Sequence, residues 1–216
     1  MEYSLTDLSF LFWMVPLAYL IGSIPTAVWI GKAFHGIDVR EHGSGNAGAT
    51  NVMRVLGVRT GIPVLLFDMV KGFTSVYLGR LQTALSTGDE FFVILSILLG
   101  VFAVIGHIYP IFAGFRGGKG VATIAGVCFA LQPAATASAL AVFILVLIIW
   151  KYVSVASISA GFSFPIWVIL AYRDTSLSLA IFSVLAALLL VYTHRKNISR
   201  LLQGTEGKAS FLFRKQ

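Results

Sequence analysis

Five stretches of this chain, 8–30, 62–81, 91–113, 155–172 and 176–193, each run for about the length of a membrane-crossing helix with very little charge, and a sixth, 121–150, runs longer still. A spanning helix needs ~20 mainly apolar residues, because nothing in the bilayer core can solvate an ion or an open backbone. Charged residues make up 12% of the 216, and hydrophobic residues 57%. A soluble domain carries ~25% charge, so this chain could not coat itself for water. It reads as an all-α, polytopic integral membrane helix bundle, one domain over 1–216, since the spans leave no length for a separate soluble unit. Cys128 is the single cysteine and excludes an intrachain disulfide. Glu2 and Asp7 precede the first run without any Lys or Arg; a cleavable signal peptide starts basic, so the first run is expected to be a retained span.

The sixth run is interrupted at LQPAAT, 131–136. Pro133 removes a helical hydrogen bond and crowds the preceding turn, but a kink alone does not decide between one helix and two. Charge does. With the amino terminus outside, the loops carrying Lys32, Arg40, Arg54 and Arg59, then Arg116 and Lys119, are cytoplasmic. Two helices within 121–150 return Lys151 to that side and leave Arg195, Lys196, Arg200, Lys208, Arg214 and Lys215 there as well. One helix would place all six of those tail charges outside, against the positive-inside bias. The outer side keeps Arg80 and Arg173, next to Asp89, Glu90 and Asp174. The expectation is seven transmembrane helices, some short, with the amino terminus outside and the carboxyl terminus cytoplasmic. Nothing suggests nucleic acid, because the cations sit at span ends and form no stripe interleaved with aromatics.

The polar, glycine-rich segments then share the cytoplasmic face: EHGSGNAGATNVMR (41–54), FRGGKG (115–120), KYVSVASIS (151–159) and THRKNISRLLQGTEG (193–207). They are richer in phosphate-capable groups than mere linkers need, and are expected to build one site. GSGNAG (43–48) matches G-x-G-x-x-G, and Asp68 follows at about the dinucleotide-binding distance. That fingerprint must follow a strand in a βαβ unit, whereas here a membrane helix precedes it and Asp68 lies in the next apolar run. The match is a false positive. Glycine-permitted turns can instead aim successive N–H groups at an anion. Gly43, Gly45 and Gly48 would supply the turns, Ser44, Asn46, Thr50 and Asn51 side-chain donors, and Arg54 a fork for bidentate phosphate. The plain alternative is an interhelical turn with a snorkelling arginine.

FRGGKG is no Walker motif, since Ala113 and Gly120 stand where glycine and Ser or Thr are required. Lys119 among Gly117, Gly118 and Gly120 still lets backbone and ammonium approach one anion. His194 and Asn197, three residues apart, share a face if helical; His194 is a candidate proton acceptor and Asn197 a donor. Asn197-Ile198-Ser199 is formally a glycosylation sequon on the wrong side of the membrane. Asp68 and Lys71 can pair within a span, as intramembrane charges do, and His107 reads as a hydrogen-bonded helix-end residue. The scattered histidines and the one cysteine give no metal constellation, and no cofactor is expected.

Taken together, GSGNAGATNVMR, GHIYPIFAGFRGGKGVAT and HRKNISRLLQGTE resemble the three cytoplasmic motifs of the bacterial acyl-phosphate:glycerol-3-phosphate acyltransferases of the PlsY type. DMVKG (68–72) and YVSVASI (152–158) extend the likeness along nearly the whole chain in order. The resemblance implies transfer of a fatty acyl group from acyl-phosphate to the 1-hydroxyl of glycerol 3-phosphate. It gives lysophosphatidate and inorganic phosphate in phospholipid biosynthesis, without acyl-CoA or acyl carrier protein. Its partners would be those two small substrates and membrane lipid, and its place the bacterial inner membrane with the site on the cytoplasmic face. It makes Ser44, Arg54, Lys119, His194 and Asn197 catalytic or phosphate-contacting, has the glycines around Lys119 seat glycerol 3-phosphate, and adds Ser157. No role attaches to the basic tail beyond about 208. Direct transfer is expected, because Cys128 in an apolar helix is a poor thiolate and no Ser-His-Asp set is legible. A transporter for a phosphorylated metabolite is the main rival, though the polar groups lie at one face and no internal repeat is found. A noncatalytic phospholipid-binding protein is the second.

Overall fold

The computed structural model describes residues 5–81, 90–173 and 176–212, with side chains from residue 12 onward. Glu2, Asp89, Asp174, Arg214, Lys215 and the Asp7 side chain lie outside the described residues. Ten α-helices, a few single 3-10 turns and one π turn account for the described secondary structure, with no strand among these residues. Among the described residues, four helices or helix-plus-turn segments are long and apolar enough to cross a membrane, up to six if each of two bent pairs is one span.

The stretch expected as one span over 8–30 is broken. α1 (Leu5–Gly22) and α2 (Thr26–His35) meet at a 41° bend. Pro25 has no N–H to continue the ladder, and the break frees the Ile24 carbonyl, which accepts from Lys71 Nζ at 3.1 Å. Irregular backbone at membrane depth survives only when its groups are met this way. The expected interhelical loop is also partly helical: α3 (Ala49–Leu56) and the start of α4 (Val58–Tyr77) lie within it, separated by Gly57 at φ 90°. α5 is Glu90–Ile108.

The expected division of 121–150 into two helices is what is found. α6 (Val121–Leu131) stops at Gln132, and α7 (Pro133–Trp150) begins with Pro133. Proline suits a first helical position because the missing N–H would be unpaired there anyway. α8 (Val153–Ile166) runs into a single π turn, Trp167–Ala171, just past Pro165. α9 (Leu177–Thr193) turns by 58° into α10 (Arg195–Leu202).

Apolar side chains such as Leu145, Ile148, Leu170 and Leu185 face outward, while Ser75, Ser96 and Ser183 are buried between helices. That inversion suits lipid, where helices associate by close packing of small residues instead of by exclusion of water. α4, α5 and α6 form the middle, with α1 on α5, α3 on α4, and α7, α8 and α9 in succession beyond α6. Two reciprocal glycine contacts set the spacing. Gly22 and Gly106 seat α1 against α5; Gly72 and Gly126 seat α4 against α6, each facing the partner helix's backbone. A Cβ at Gly126 would collide with the Met69 carbonyl, which cannot swing aside. Gly126→Ala is therefore expected to cost about 1–3 kcal/mol or more, read as a lowered Tm of the purified protein in detergent.

Candidate active site

The 42–48 segment owes its shape to one buried side chain. Asn51, 2% exposed, reaches back from the first turn of α3. Its Oδ1 accepts from the Ser44 N–H at 2.8 Å and the Ser44 hydroxyl at 3.1 Å. Its Nδ2 donates to the Val39 and His42 carbonyls at 2.8 and 3.0 Å. Both amide hydrogens are thus committed, so Asn51 pegs the loop and does not donate to a ligand as the sequence suggested. Gly43 (φ 61°) lies against Asn51, where a Cβ has no room. Arg40 fixes the next loop: it grips Asp38 through Nε and Nη2 at 2.9 and 2.7 Å and donates Nη1 to the Ala113 carbonyl at 2.7 Å. The Arg40 hydrogen bonds hold the Asp38 carboxyl well below the usual range, against the opposing effect of its burial.

These loops wall a cavity of about 490 Å³. Gly43, Ser44, Asn46, Gly48, Thr50, Asn51 and Arg54 line one side; Lys119 and Gly120, Ser157, and His194 and Asn197 line the others. The structure therefore brings together twelve of the fifteen residues singled out in the sequence. It does not bring Gly45, Gly117 or Gly118 to the wall. Gly117 and Gly118 donate their N–H groups to the Ile108 and His107 carbonyls, at 3.1 and 3.2 Å. They cap α5, so those amides cannot also form an anion nest. Ser157 is 1% exposed and its hydroxyl donates to the Val153 carbonyl at 2.8 Å, which leaves it only an acceptor face.

What sequence reading missed is how the cavity gathers helix ends. The first turns of α3 (Gly48, Ala49, Thr50), α6 (Gly120, Val121, Ala122) and α8 (Val153, Ser154) all line it. Each such turn presents N–H groups without intrahelical acceptors and the positive end of a helix dipole, a setting that favours anions. No periodicity in the sequence announces that three helices start around one point.

Glu206, Arg200 and Ser154 were also passed over. Glu206 Oε1 accepts from Asn197 Nδ2 at 2.6 Å and from the Ser154 hydroxyl at 2.8 Å, while Oε2 accepts from Arg200 Nε at 2.8 Å. Burial works to raise the Glu206 pKa, but hydrogen bonds from Asn197, Arg200 and Ser154 prevail and lower it. Asn197 Oδ1 in turn accepts from Lys119 Nζ. The only hint in the sequence was the i,i+3 spacing of Asn197 and Arg200.

Burial lowers the Lys119 pKa to about 8; Glu206 opposes the shift, and Arg200 and Arg54 add to it. His194, the residue after α9, donates Nδ1–H to the Leu190 carbonyl at 2.8 Å, because a carbonyl can only accept. Its Nε2 is then the ring's acceptor. Burial, and next the charge on Lys119, lower the His194 pKa to about 4, so the ring is neutral near pH 7. Among the described residues no carboxylate stands within ion-pair distance of Arg54 or Lys119. The floor holds Asp68 and His107. Asp68 pairs with Lys71 at 2.8 Å and accepts from the Thr26 hydroxyl at 3.3 Å, with His107 at 3.6 Å.

A second cavity, about 430 Å³ and almost wholly apolar, continues from the first between α4, α6, α7, α8 and α9. Ala49, Thr50, Leu65, Val121, Ala122, Phe143, Val153 and Ser157 belong to both walls. Cys128 lies on this apolar wall, away from the polar groups.

The family model described as glycerol-3-phosphate acyltransferase matches residues 12–204. A glycerol-3-phosphate acyltransferase of Fusobacterium nucleatum is 46% identical over 200 residues, covering 93% of this chain and 98% of the relative. One of Salinibacter ruber is 47% identical over 208 residues, covering 90% of each. The crystal structure of PlsY (YgiH), an integral membrane glycerol 3-phosphate acyltransferase, in its glycerol 3-phosphate form, superposes with a TM-score of 0.83 at 38% identity. That match covers 93% of this chain and 95% of the other. The lysophosphatidic acid form gives 0.81 at 36% identity, over 95% and 100%.

Proposed function

Because the chain belongs to the glycerol-3-phosphate acyltransferase family, we propose that it moves a fatty acyl group from an acyl-phosphate directly to the 1-hydroxyl of sn-glycerol 3-phosphate. The products are lysophosphatidate and inorganic phosphate. One observation carries this reading: a cation-lined polar cavity and an apolar groove share a wall. A site with that form accommodates two phosphates in the first and a fatty chain in the second. The solved relative's glycerol 3-phosphate and lysophosphatidic acid forms correspond to the acceptor and the product of such a transfer.

In the reaction the 1-hydroxyl oxygen bonds to the acyl carbon, the carbon–oxygen bond to phosphate breaks, and the hydroxyl proton leaves on the released phosphate. Arg54, Lys119 and the first-turn amides of α3, α6 and α8 stabilise the charge on the phosphates and on the acyl oxygen, which is the main source of rate in such a site. The Ser44 hydroxyl donates to substrate after turning from Asn51, whose Oδ1 retains the Ser44 N–H. His194 Nε2 accepts from the 1-hydroxyl and orients it. Burial and the Lys119 charge lower the His194 pKa, which disfavours the ring as the final proton acceptor and leaves that role to a phosphate oxygen. Asn197, held by Glu206, fixes Lys119.

Seven spans follow if the two bent pairs each count once and α6 counts as a short one. With the amino terminus outside, the cavity then opens to the cytoplasm at the inner membrane, where the charge bias also puts most Lys and Arg. The chain acts as one domain over 1–216.

The test uses purified protein in detergent with labelled glycerol 3-phosphate and either palmitoyl-phosphate or palmitoyl-CoA. Labelled lysophosphatidate from palmitoyl-phosphate alone is the expected result. Product only from the CoA ester overturns the donor, trapping of an acyl-enzyme overturns direct transfer, and uptake into sealed vesicles without product would favour a transporter. Arg54→Lys keeps the charge and loses the planar fork. Its kcat/KM is expected to fall on the order of tenfold or more, since charge-assisted bidentate bonds contribute about 1.5–3 kcal/mol; unchanged kinetics would remove Arg54 as a phosphate clamp.

A further inference from the structure

The chain after α10 turns back over the site, and from residue 205 on it lies beyond the family match. Glu206 and Gly207 line the polar cavity, whereas Phe211 and Leu212 line the apolar groove. Two ties hold the segment down. Glu206 accepts from Ser154, and Ala209, 1% exposed, donates its N–H to the Lys151 carbonyl at 2.7 Å. Between the compartments the Phe211 ring meets Arg54, with the guanidinium carbon 5.6 Å from the ring centroid. Arg54 itself lies on the polar side. The segment therefore bridges the boundary of the two cavities, and Phe211 stands at the crossing.

A fatty chain whose carboxyl carbon must enter the polar cavity while its tail lies in the groove passes this crossing whatever its length. We infer that Phe211 is a positioning residue for the acyl donor: its ring roofs the groove at the junction and seats the Arg54 guanidinium beside the entering acyl head. This rests on the reading of the groove as the acyl site. Contact at the junction involves only the carbons nearest the carboxyl, so it must weigh equally on short and long donors. Contact deep in the groove would instead be felt by long chains alone.

The experiment measures KM for octanoyl-, lauroyl- and palmitoyl-phosphate and for glycerol 3-phosphate in the full chain and in Phe211→Ala and Phe211→Tyr. Loss of the ring is expected to raise the donor KM about fivefold, by a similar factor for all three donors. The glycerol 3-phosphate KM should stay within about twofold, as for loss of binding confined to one substrate. Phe211→Tyr keeps the ring and should match the parent. A chain ended after Ser210 keeps both ties and should reproduce Phe211→Ala. An unchanged donor KM, a parallel rise for donor and acceptor, or a penalty that grows with chain length would each overturn the assignment. If the parent protein uses palmitoyl-CoA and no acyl-phosphate, the donor reading fails by itself. The same variants assayed with acyl-CoA donors then decide Phe211 by the same criteria.

Discussion

Lys119→Met is expected to lower kcat/KM a hundredfold to a thousandfold, the usual scale for removing one preorganised charge-stabilising group from a site. Lys119 faces the cavity from the start of α6, oriented by Asn197, and no carboxylate among the described residues neutralises it. The pH dependence gives a sharper check. Lys119 loses its charge as pH rises through about 8. Since both substrates are anionic, kcat/KM should fall on the alkaline side with an apparent pKa near that value. Arginine stays charged in proteins, so Lys119→Arg should lose that alkaline limb even where its rate is reduced. A parent profile flat from neutral pH to well above 8 would mean that the ammonium is not what holds the phosphates.

Asp68→Asn is expected to destabilise the folded protein by about 3–5 kcal/mol, because it strands Lys71 as a buried cation without its counter-ion. Lys71 is 6% exposed, and its other acceptor is the Ile24 carbonyl at the α1–α2 break. The loss should appear as a lowered Tm in detergent. Replacing both partners, Asp68→Asn with Lys71→Met, should recover much of it, since two neutral side chains leave no unpaired charge. Asp68 also lines the cavity floor. An Asp68→Asn protein with parental Tm and no activity would make the carboxylate part of the chemistry instead of the scaffold.

Much of the architecture was legible because the bilayer enforces a strict rule: a backbone without water must form helices over a set length. The division at Pro133 was readable from charge placement, since one helix and two put six tail cations on opposite sides. The break before Pro25 was not. Proline kinks many spans without parting them, and what makes a true break tolerable is a lysine from another helix satisfying Ile24. Gly117 and Gly118 were read as an anion nest for a similar reason. Glycines that cradle a ligand and glycines that cap a neighbouring helix look alike until the Ile108 and His107 carbonyls are located.

By itself, the sequence determined that the chain is a helical membrane protein, which segments are polar, and which side chains there suit phosphate. These are local properties of composition, spacing and charge. The tertiary structure decided the rest: that α3, α6 and α8 begin around one cavity, that Asn51 is a peg, that Glu206 organises Asn197 and Arg200, and that Phe211 returns to meet Arg54. The gathering of α3, α6 and α8 and the meeting of Phe211 with Arg54 depend on where separate helices end in space, which is set by small-residue contacts such as Gly72 and Gly126 between α4 and α6. No window along the chain contains the long-range contacts, and the local ones, Asn51 with Ser44 and Glu206 with Asn197, depend on turns that composition and spacing leave open.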